Sequence, residues 1–182
     1  MSHSKLDRPA IVEEALALLH EEGLANISLR KIATRLDVSV SSLYWHIRDR
    51  DELQALMCEK VFRDCLDRTA EADGWVGWLR GFALVLWDSQ VALRDCQKLI
   101  IASTLDETAR EALMEAAASR LLGYGIPRER GLIMQLSVQA LVTGWSTLDR
   151  RMESRREFEI ALSALLEGWN ARFKQEQAAQ HN

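Results

Sequence analysis

Residues 28 to 50 concentrate side chains whose chemistry suits contact with a polyanion. Five basic residues stand there against two acidic ones, whereas the chain of 182 residues has 23 Lys plus Arg, 27 Asp plus Glu and a net charge of −4. The basic residues are Arg30, Lys31, Arg35, Arg48 and Arg50. An acidic chain is a poor general binder of polyanions, so the stretch predicts a local site.

The apolar spacing around these residues predicts two short helices joined by a tight turn. The first begins after Ser28 and the second after Ser39, and about three residues separate them. Their inward positions are Leu29, Ile32, Ala33, Leu36, Leu43 and Ile47. Small polar side chains open the second helix, as in a helix-turn-helix that lays its recognition helix in the major groove. Asp37 occupies the turn, where it tolerates a positive φ better than most residues.

The rest of the chain is predicted to be helical too. Only two prolines and nine glycines interrupt a chain rich in Ala, Leu, Glu and Arg, which leaves few turns for a many-stranded sheet. Asp49 and Glu52 form a capping-box variant before a long fourth helix. A box at Ser154 to Glu157 and a short link near residues 150 to 153 separate two long closing helices. We predict an all-α fold, with a three-helix domain at residues 1–49 and a helical domain at residues 50–182.

Residues 23 to 53, GLANISLRKIATRLDVSVSSLYWHIRDRDEL, resemble the DNA-binding domain of the TetR family of transcriptional regulators, most closely its tetracycline repressor branch. The likeness is firm over residues 6 to 60, about a third of the chain. It implies a helix-turn-helix domain followed by a ligand-binding and dimerisation domain. It also implies a homodimeric regulator, typically a repressor, that binds a palindromic DNA operator and is released by a small inducer.

The resemblance assigns DNA contacts residue by residue. Arg30 matches an arginine placed on a guanine, although a solvated arginine near phosphate is the alternative. Three residues in the first turn of the recognition helix differ from the branch pattern and imply a different operator; they are Val40, Ser41 and Ser42. Phosphate contacts are implied for Tyr44, His46 and Arg50, with Lys31 as a plausible addition. We expect Trp45 to lie in the core, and Tyr44 has packing as its alternative role.

The resemblance also implies a ligand pocket in the helices after the DNA-binding domain. Four positions that match the drug and metal contacts of the branch are apolar here, namely Leu66, Phe82, Leu86 and Ile100. Such side chains cannot ligate a hard cation, so we expect neither a metal nor another cofactor. The predicted pocket is apolar and aromatic, suits a small hydrophobic effector, and adds Trp78, Ser103, Gln135 and Gln139. Ordinary core packing is the alternative for most of these residues.

The last two long helices carry enough apolar surface for a homodimer interface. The predicted contacts are Leu132, Val142, Trp145, Phe158, Leu162, Leu165 and Trp169. A lone DNA-binding domain of some 45 residues makes few phosphate contacts, whereas a two-fold dimer presents two recognition helices to a palindrome. A bundle formed within one chain by the same faces is the alternative.

Other classes of function fit the sequence less well. There is no Gly-rich phosphate loop, nucleophile elbow or HExxH motif, so we do not expect an enzyme. The thiols Cys58, Cys65 and Cys96 leave a thiol-based sensor open, and a helical protein-interaction module is a third hypothesis. We also expect a cytoplasmic protein, because no leader opens the chain and its densest apolar stretches fall short of the roughly 18 to 20 residues that cross a bilayer.

Overall fold

The computed structural model describes residues 6–148 and 155–180, and this part of the chain folds into nine α-helices and one 3₁₀ turn without a strand. The helices are α1 (Arg8–Glu22), α2 (Leu29–Arg35), α3 (Val40–Tyr44), α4 (Arg50–Arg68), α5 (Trp75–Ala92), α6 (Cys96–Ala102), α7 (Glu107–Gly123), α8 (Arg128–Thr147) and α9 (Arg155–Gln180), with the 3₁₀ turn at Leu24–Asn26. The all-α prediction is confirmed. The predicted link near residues 150 to 153 and the start of the box at Ser154 lie outside the described residues.

Short-range capping sets the ends of the N-terminal helices. Asp7 accepts a hydrogen bond from the Ala10 N–H at 3.0 Å and begins α1, which ends at Gly23 with φ 83°. Ser28 and Ser39 cap α2 and α3 in the same way. Each cap satisfies a backbone donor that the helix itself leaves unpaired. These caps fix where the short helices start.

The turn between α2 and α3 uses a left-handed residue that is not glycine. Asp37 has φ 54°, as its place in the motif predicts. Val38 N–H donates to the Ala33 carbonyl at 3.0 Å and closes the turn. On either side of it, Ile32 and Leu43 are fully buried. The helix-turn-helix geometry therefore forms despite the aspartate.

The capping box before α4 is present with one change of partner. Asp49 Oδ1 accepts from the Glu52 N–H at 2.8 Å, and Glu52 Oε2 accepts from the Arg48 N–H at 2.6 Å. In the usual box the glutamate would bind the N–H of the capping residue itself. The Glu52 N–H, followed by the Arg48 guanidinium, lowers the pKa of the Asp49 carboxyl. The carboxylate therefore stays charged at the N-terminus of α4, where a negative charge is stabilised.

The chain groups into two compact units. The first comprises residues 1–64 and 89–111, and the second comprises residues 65–88 and 112–182. The first unit thus adds the end of α5, all of α6 and the start of α7 to the N-terminal helices. The predicted division of function between residues 49 and 50 stays a prediction, because compactness reports packing and not function.

Aromatic stacking organises the core of the second unit. Trp78 and Phe82 stack on α5 with ring centroids 5.9 Å apart, and Trp87 stacks on Phe158 of α9 at 4.5 Å. Offset stacking of this kind adds about 0.5–1.5 kcal/mol to the burial of each ring pair. Helix α8 also packs against α9. These aromatic side chains therefore contribute to the packing core of this unit.

The three cysteines are buried thiols, and none of them forms a disulfide. Burial raises the pKa of the Cys58 thiol to about 11, although a hydrogen bond with Ser103 acts in the opposite direction. A thiol that stays protonated at neutral pH is a poor nucleophile.

Among the described helices, none is both long enough and apolar enough to span a membrane.

We expect Cys58 in the folded chain to react slowly with a disulfide reagent such as DTNB at pH 8. Raising a thiol pKa from 9.0 to about 11 lowers the thiolate fraction on the order of a hundredfold. The rate is measured by absorbance for the native chain and for the chain in urea, with Cys58→Ser as the control that identifies this thiol. Fast native reaction that Cys58→Ser abolishes would favour the thiol-sensor hypothesis.

We expect Gly23→Ala to destabilise the chain more than Gly125→Ala. Both glycines have positive φ, 83° and 82°, so each alanine costs about 1–2 kcal/mol of backbone strain. A Cβ at Gly23 would also lie 2.7 Å from Asp95 Oδ2, whereas one at Gly125 meets nothing within 4 Å. Urea unfolding measures both free energies, and equal losses would contradict the steric contribution at Gly23.

Candidate nucleic-acid interface

A shallow cleft of about 500 Å³ lies on the face formed by the N-terminal short helices. It is lined by Ile27, Ser28, Leu29, Arg30, Val40, Tyr44, Arg48, Asp49 and Arg50. The structure therefore brings together Arg30, Val40, Tyr44 and Arg50, four of the residues predicted to contact DNA. The other four predicted contacts, which do not line the cleft, are Lys31, Ser41, Ser42 and His46.

Arg30 is the basic side chain of the cleft that is free to bind a ligand. It is exposed in the first turn of α2, and the described residues give its guanidinium no partner. Its five N–H donors can therefore meet a base edge or a phosphate without first breaking an ion pair. This arrangement suits the predicted guanine contact.

The first turn of α3 carries a network of three hydroxyls. Ser39 Oγ lies 2.9 Å from Ser41 Oγ and 2.7 Å from Ser42 Oγ, and it also accepts from the Ser42 N–H. Ser41 is exposed, while Ser42 and Val40 are half-buried. Each hydroxyl carries one donor and two acceptor sites, so both predicted serines keep capacity for a further hydrogen bond.

Two aromatic side chains project from the end of α3. Tyr44 is 56% exposed and Trp45 is 88% exposed. The prediction that Trp45 lies in the core is wrong. Leu43 and Ile47 fill the core, and Trp45 lies two residues from both, so helical geometry turns it to the opposite side, toward solvent. Trp45 is thus a candidate contact that the sequence analysis missed.

The residues that follow α3 are held by main-chain contacts. Arg50 Nη2 donates to the Leu24 carbonyl at 2.9 Å, and Arg8 Nε donates to the His46 carbonyl at 2.9 Å. His46 itself is half-buried. Arg50 therefore lines the cleft as an exposed side chain with one end of its guanidinium anchored.

Ion pairs with α1 reduce the positive charge that the sequence places at residues 28 to 50. Arg35 forms two hydrogen bonds with Glu21, at 2.6 and 2.9 Å, and an ion pair with Glu14. The Arg35 guanidinium lowers the pKa of the Glu21 carboxyl, which stays charged. Lys31 pairs with Glu22 at 2.5 Å. The charge count therefore overstates the patch, because two of its five bases are balanced by acids of α1.

Arg48 lines the cleft and is a further candidate contact that the sequence analysis did not select. Its side chain is 78% exposed and pairs with Asp49 at 2.9 Å. Arg48 is one of the five basic residues at positions 28 to 50, so this charge pattern could have predicted it as a DNA contact. The uncompensated positive charge of the cleft thus rests on Arg30 and Arg50.

The residues predicted to hold a small ligand do not form one cluster within a unit. Ile100 and Ser103 belong to the first unit, where Ser103 Oγ donates to the Gln54 carbonyl at 3.1 Å. The other six belong to the second unit, and they are Leu66, Trp78, Phe82, Leu86, Gln135 and Gln139. Of the six, the three on α5 are completely buried or nearly so, as the alternative of core packing predicts.

Two polar groups stand out among these ligand candidates. Gln135 is buried and donates to Gln139 Oε1 at 3.1 Å. The indole N–H of Trp78 is buried without a hydrogen-bond acceptor among the described residues. A buried donor left unpaired costs about 1–3 kcal/mol. Among the described residues, the second unit contains two such donors, because the indole N–H of Trp145 is also buried without an acceptor; Trp78 is the one that belongs to the ligand candidates.

The predicted dimer contacts need a correction. Val142, Phe158 and Leu162 are completely buried in the single chain, so they pack inside the subunit and cannot meet a partner. The other predicted contacts are half-buried, and they are Leu132, Trp145, Leu165 and Trp169. Helical spacing identified apolar faces on both helices but could not tell which face packs within the chain.

Comparison with known proteins finds a family match in the N-terminal part of the chain. Residues 11–55 match the family model described as bacterial regulatory proteins, tetR family. The chain is 27% identical over 106 residues to the class D tetracycline repressor protein of Escherichia coli, covering 57% of this chain and 49% of the relative. It therefore spans about half the length of that curated relative.

Solved structures share the fold over most of the chain. TetR from Acinetobacter baumannii AYE superposes with a TM-score of 0.72 at 23% identity, covering 92% of this chain and 98% of that one. ActR from Streptomyces coelicolor gives 0.74 at 22% identity, covering 91% and 95%. The matched motif is the part of the chain that forms α2, α3 and the cleft. Residues 11–55 therefore match the TetR family of bacterial regulatory proteins, and most of the chain shares the fold of these solved structures.

Proposed function

We propose that the chain is a homodimeric transcriptional repressor that binds a palindromic operator and is released by a small hydrophobic effector. The observation that carries the proposal is the cleft of α2 and α3, where a free arginine, an exposed tyrosine and an anchored arginine face the same solvent-filled space. These are the residue types that contact bases and phosphates in a major groove. A related structure, BioQ, was solved with its double-stranded DNA operator.

The proposed DNA contacts divide into two kinds. Arg30 contacts a guanine, and Val40 packs on a thymine methyl, while Ser41 and Ser42 hydrogen-bond base edges. The other proposed contacts position the protein on phosphates; they are Lys31, Tyr44, Trp45, His46, Arg48 and Arg50. Lys31 and Arg48 must exchange an acidic partner for phosphate, so we expect them to contribute less than Arg50.

A second copy of the chain supplies the second half-site contact. Helices α8 and α9 leave Ile133, Leu136 and Ile160 between 45% and 61% exposed. Gly144 and Gly168 have open space beside them, so a partner helix can approach closely. A groove of about 420 Å³ lined by Ile133 and Trp169 among others also opens at one end of these helices. A self-complementary face of this kind suits a two-fold dimer.

The proposed effector is a small apolar or aromatic molecule. In the second unit, Trp78 offers an unpaired buried indole N–H beside aromatic side chains, and Gln135 adds a buried amide. Pockets for such ligands combine apolar walls with a few polar groups. ActR, which shares the fold, was solved with actinorhodin. The effector acts by preferring the state that does not fit the operator.

Selection of bound duplexes from a randomised pool at near-physiological salt tests the DNA part of the proposal. We expect a palindromic site from the wild-type chain. Arg30→Ala should lose about 1–3 kcal/mol of discrimination at one base pair in each half-site. Arg50→Ala should weaken binding to all sequences and lower the salt slope by about 2 per dimer, since each phosphate contact contributes about 0.9.

Arg120→Ala is the matched control, because Arg120 is an exposed arginine of α7 outside the cleft. It should change neither the selected sequence nor the slope. Equal losses on the selected and random duplexes for Arg30→Ala would remove its base contact. Failure of the wild-type chain to enrich any sequence would contradict the proposed function and favour the protein-interaction hypothesis.

Leu136→Glu tests the dimer. In a two-fold dimer each subunit contributes the same substitution, so Leu136→Glu places two carboxylates in the interface. We expect these two buried carboxylates to raise the dimer dissociation constant at least about tenfold. Leu122→Glu is the control, because Leu122 is 58% exposed on α7. Sedimentation equilibrium measures both against the 20.7 kDa chain. A dimer that Leu136→Glu leaves intact would show that another face mediates association.

A further inference from the structure

The turn that joins α1 to the 3₁₀ helix is held by charged groups from the turn before α6. Arg94 Nη1 donates to the Glu21 carbonyl at 2.9 Å. The Leu24 N–H donates to Asp95 Oδ2 at 3.0 Å. Both contacts bridge more than 70 residues of sequence within the first unit. The end of α1 is thus fixed by two long-range hydrogen bonds to adjacent residues.

Asp95 does not use its carboxylate in the way its position predicts. It stands at the N-cap of α6, where an aspartate normally accepts from the first turn of its own helix. Here it makes no side-chain cap, and its backbone takes the left-handed φ of 56°. The carboxylate instead binds Leu24 and pairs with Lys98 at 2.7 Å. Asp95 therefore contacts Leu24 instead of capping α6, and it does so with an unfavourable backbone φ.

Gly23 makes room for this contact. A Cβ at this position would lie 2.7 Å from Asp95 Oδ2 and 3.1 Å from Arg94 Nε. The glycine also has φ 83°, which side-chain-bearing residues rarely adopt. The close approach of the two turns therefore depends on a residue without a side chain.

Leu24, which binds Asp95, also binds an arginine of the cleft. The Leu24 N–H binds Asp95, and the Leu24 carbonyl accepts from Arg50 Nη2 at 2.9 Å. An arginine side chain free in solvent samples many rotamers, and an anchored fork loses less freedom when it binds. The position of Leu24 thus sets the position of the Arg50 guanidinium in the cleft.

We propose that Arg94 and Asp95 are positioning residues for DNA binding: they fix the Glu21–Leu24 turn, and the Leu24 carbonyl orients Arg50 toward phosphate. The proposal rests on the proposed function of the cleft and deepens it. Neither positioning residue lines the cleft. Their effect on DNA therefore passes through Leu24 and Arg50.

Asp95→Gly is the test variant, studied in the full chain. Glycine adopts the left-handed φ without strain, so the substitution removes the carboxylate and keeps the backbone. Asp95→Asn is the conservative rescue, because asparagine keeps an oxygen acceptor and tolerates this φ. Lys98→Gln is the matched control that removes the other partner of Asp95 and leaves the Leu24 bond.

Two measurements are made on these variants. Without DNA, NMR follows hydrogen exchange of the Leu24 amide and the Arg50 Nε–H resonance, and Asp95→Gly should speed the exchange at least about tenfold and shift the resonance. With a labelled 30-base-pair random duplex, it should raise the Kd about tenfold, the effect of one charge-assisted hydrogen bond, and lower the salt slope by up to about 2 per dimer. Asp95→Asn and Lys98→Gln should stay within about twofold of wild type.

A double-mutant cycle separates positioning from general stability. In an Arg50→Gln background, Asp95→Gly should have no further effect on the Kd or the slope. Effects that multiply instead would overturn the proposal, as would an Arg50 resonance that Asp95→Gly leaves unchanged. A wild-type chain that binds no duplex, with the resonance still moved by Asp95→Gly, would overturn the proposed function while leaving the contact from Asp95 to Arg50 established.

Discussion

Burial of Ile32, Leu43 and Ile47 is the interaction on which the proposed DNA-binding surface depends. Helices α2 and α3 have seven and five residues, and isolated helices shorter than about 12–15 residues are marginal in water. Each of the three side chains is fully buried, α1 packs on α2, and α2 packs on α3. The polar groups proposed to contact DNA on these two helices therefore depend on tertiary packing for their positions.

Local signals in the sequence predicted most of this scaffold. The caps at Ser28 and Ser39 and the box at Asp49 depend on contacts within three or four residues, so the spacing alone reveals them. The left-handed Asp37 could be placed because few other residues tolerate that turn. Four of the eight predicted DNA contacts line the cleft for the same reason: their helices begin where the caps indicate.

Long-range pairing explains what the sequence could not predict. The sequence counts Arg35 among the bases that could face DNA. In the structure it pairs with Glu21, which lies fourteen residues away on another helix. Trp45 has the size and apolarity of a core residue, but it lies two positions from both Leu43 and Ile47 and therefore faces solvent. Phe158 and Leu162 have the spacing of an interface, and only packing reveals that the single chain already buries them. Periodicity identifies an apolar helix face, but it does not show whether the same chain or a partner covers that face.

The shared hydroxyl network of α3 has a consequence for how an operator would be described. Ser41 and Ser42 both bind Ser39 Oγ, so the direction in which one hydroxyl points constrains the donor or acceptor that the other can offer. In the proposed complex, a base that turns one hydroxyl into a donor changes the preference at its neighbour. A binding motif that scores each base pair independently would misrank sites, and a dinucleotide term is needed at these two positions.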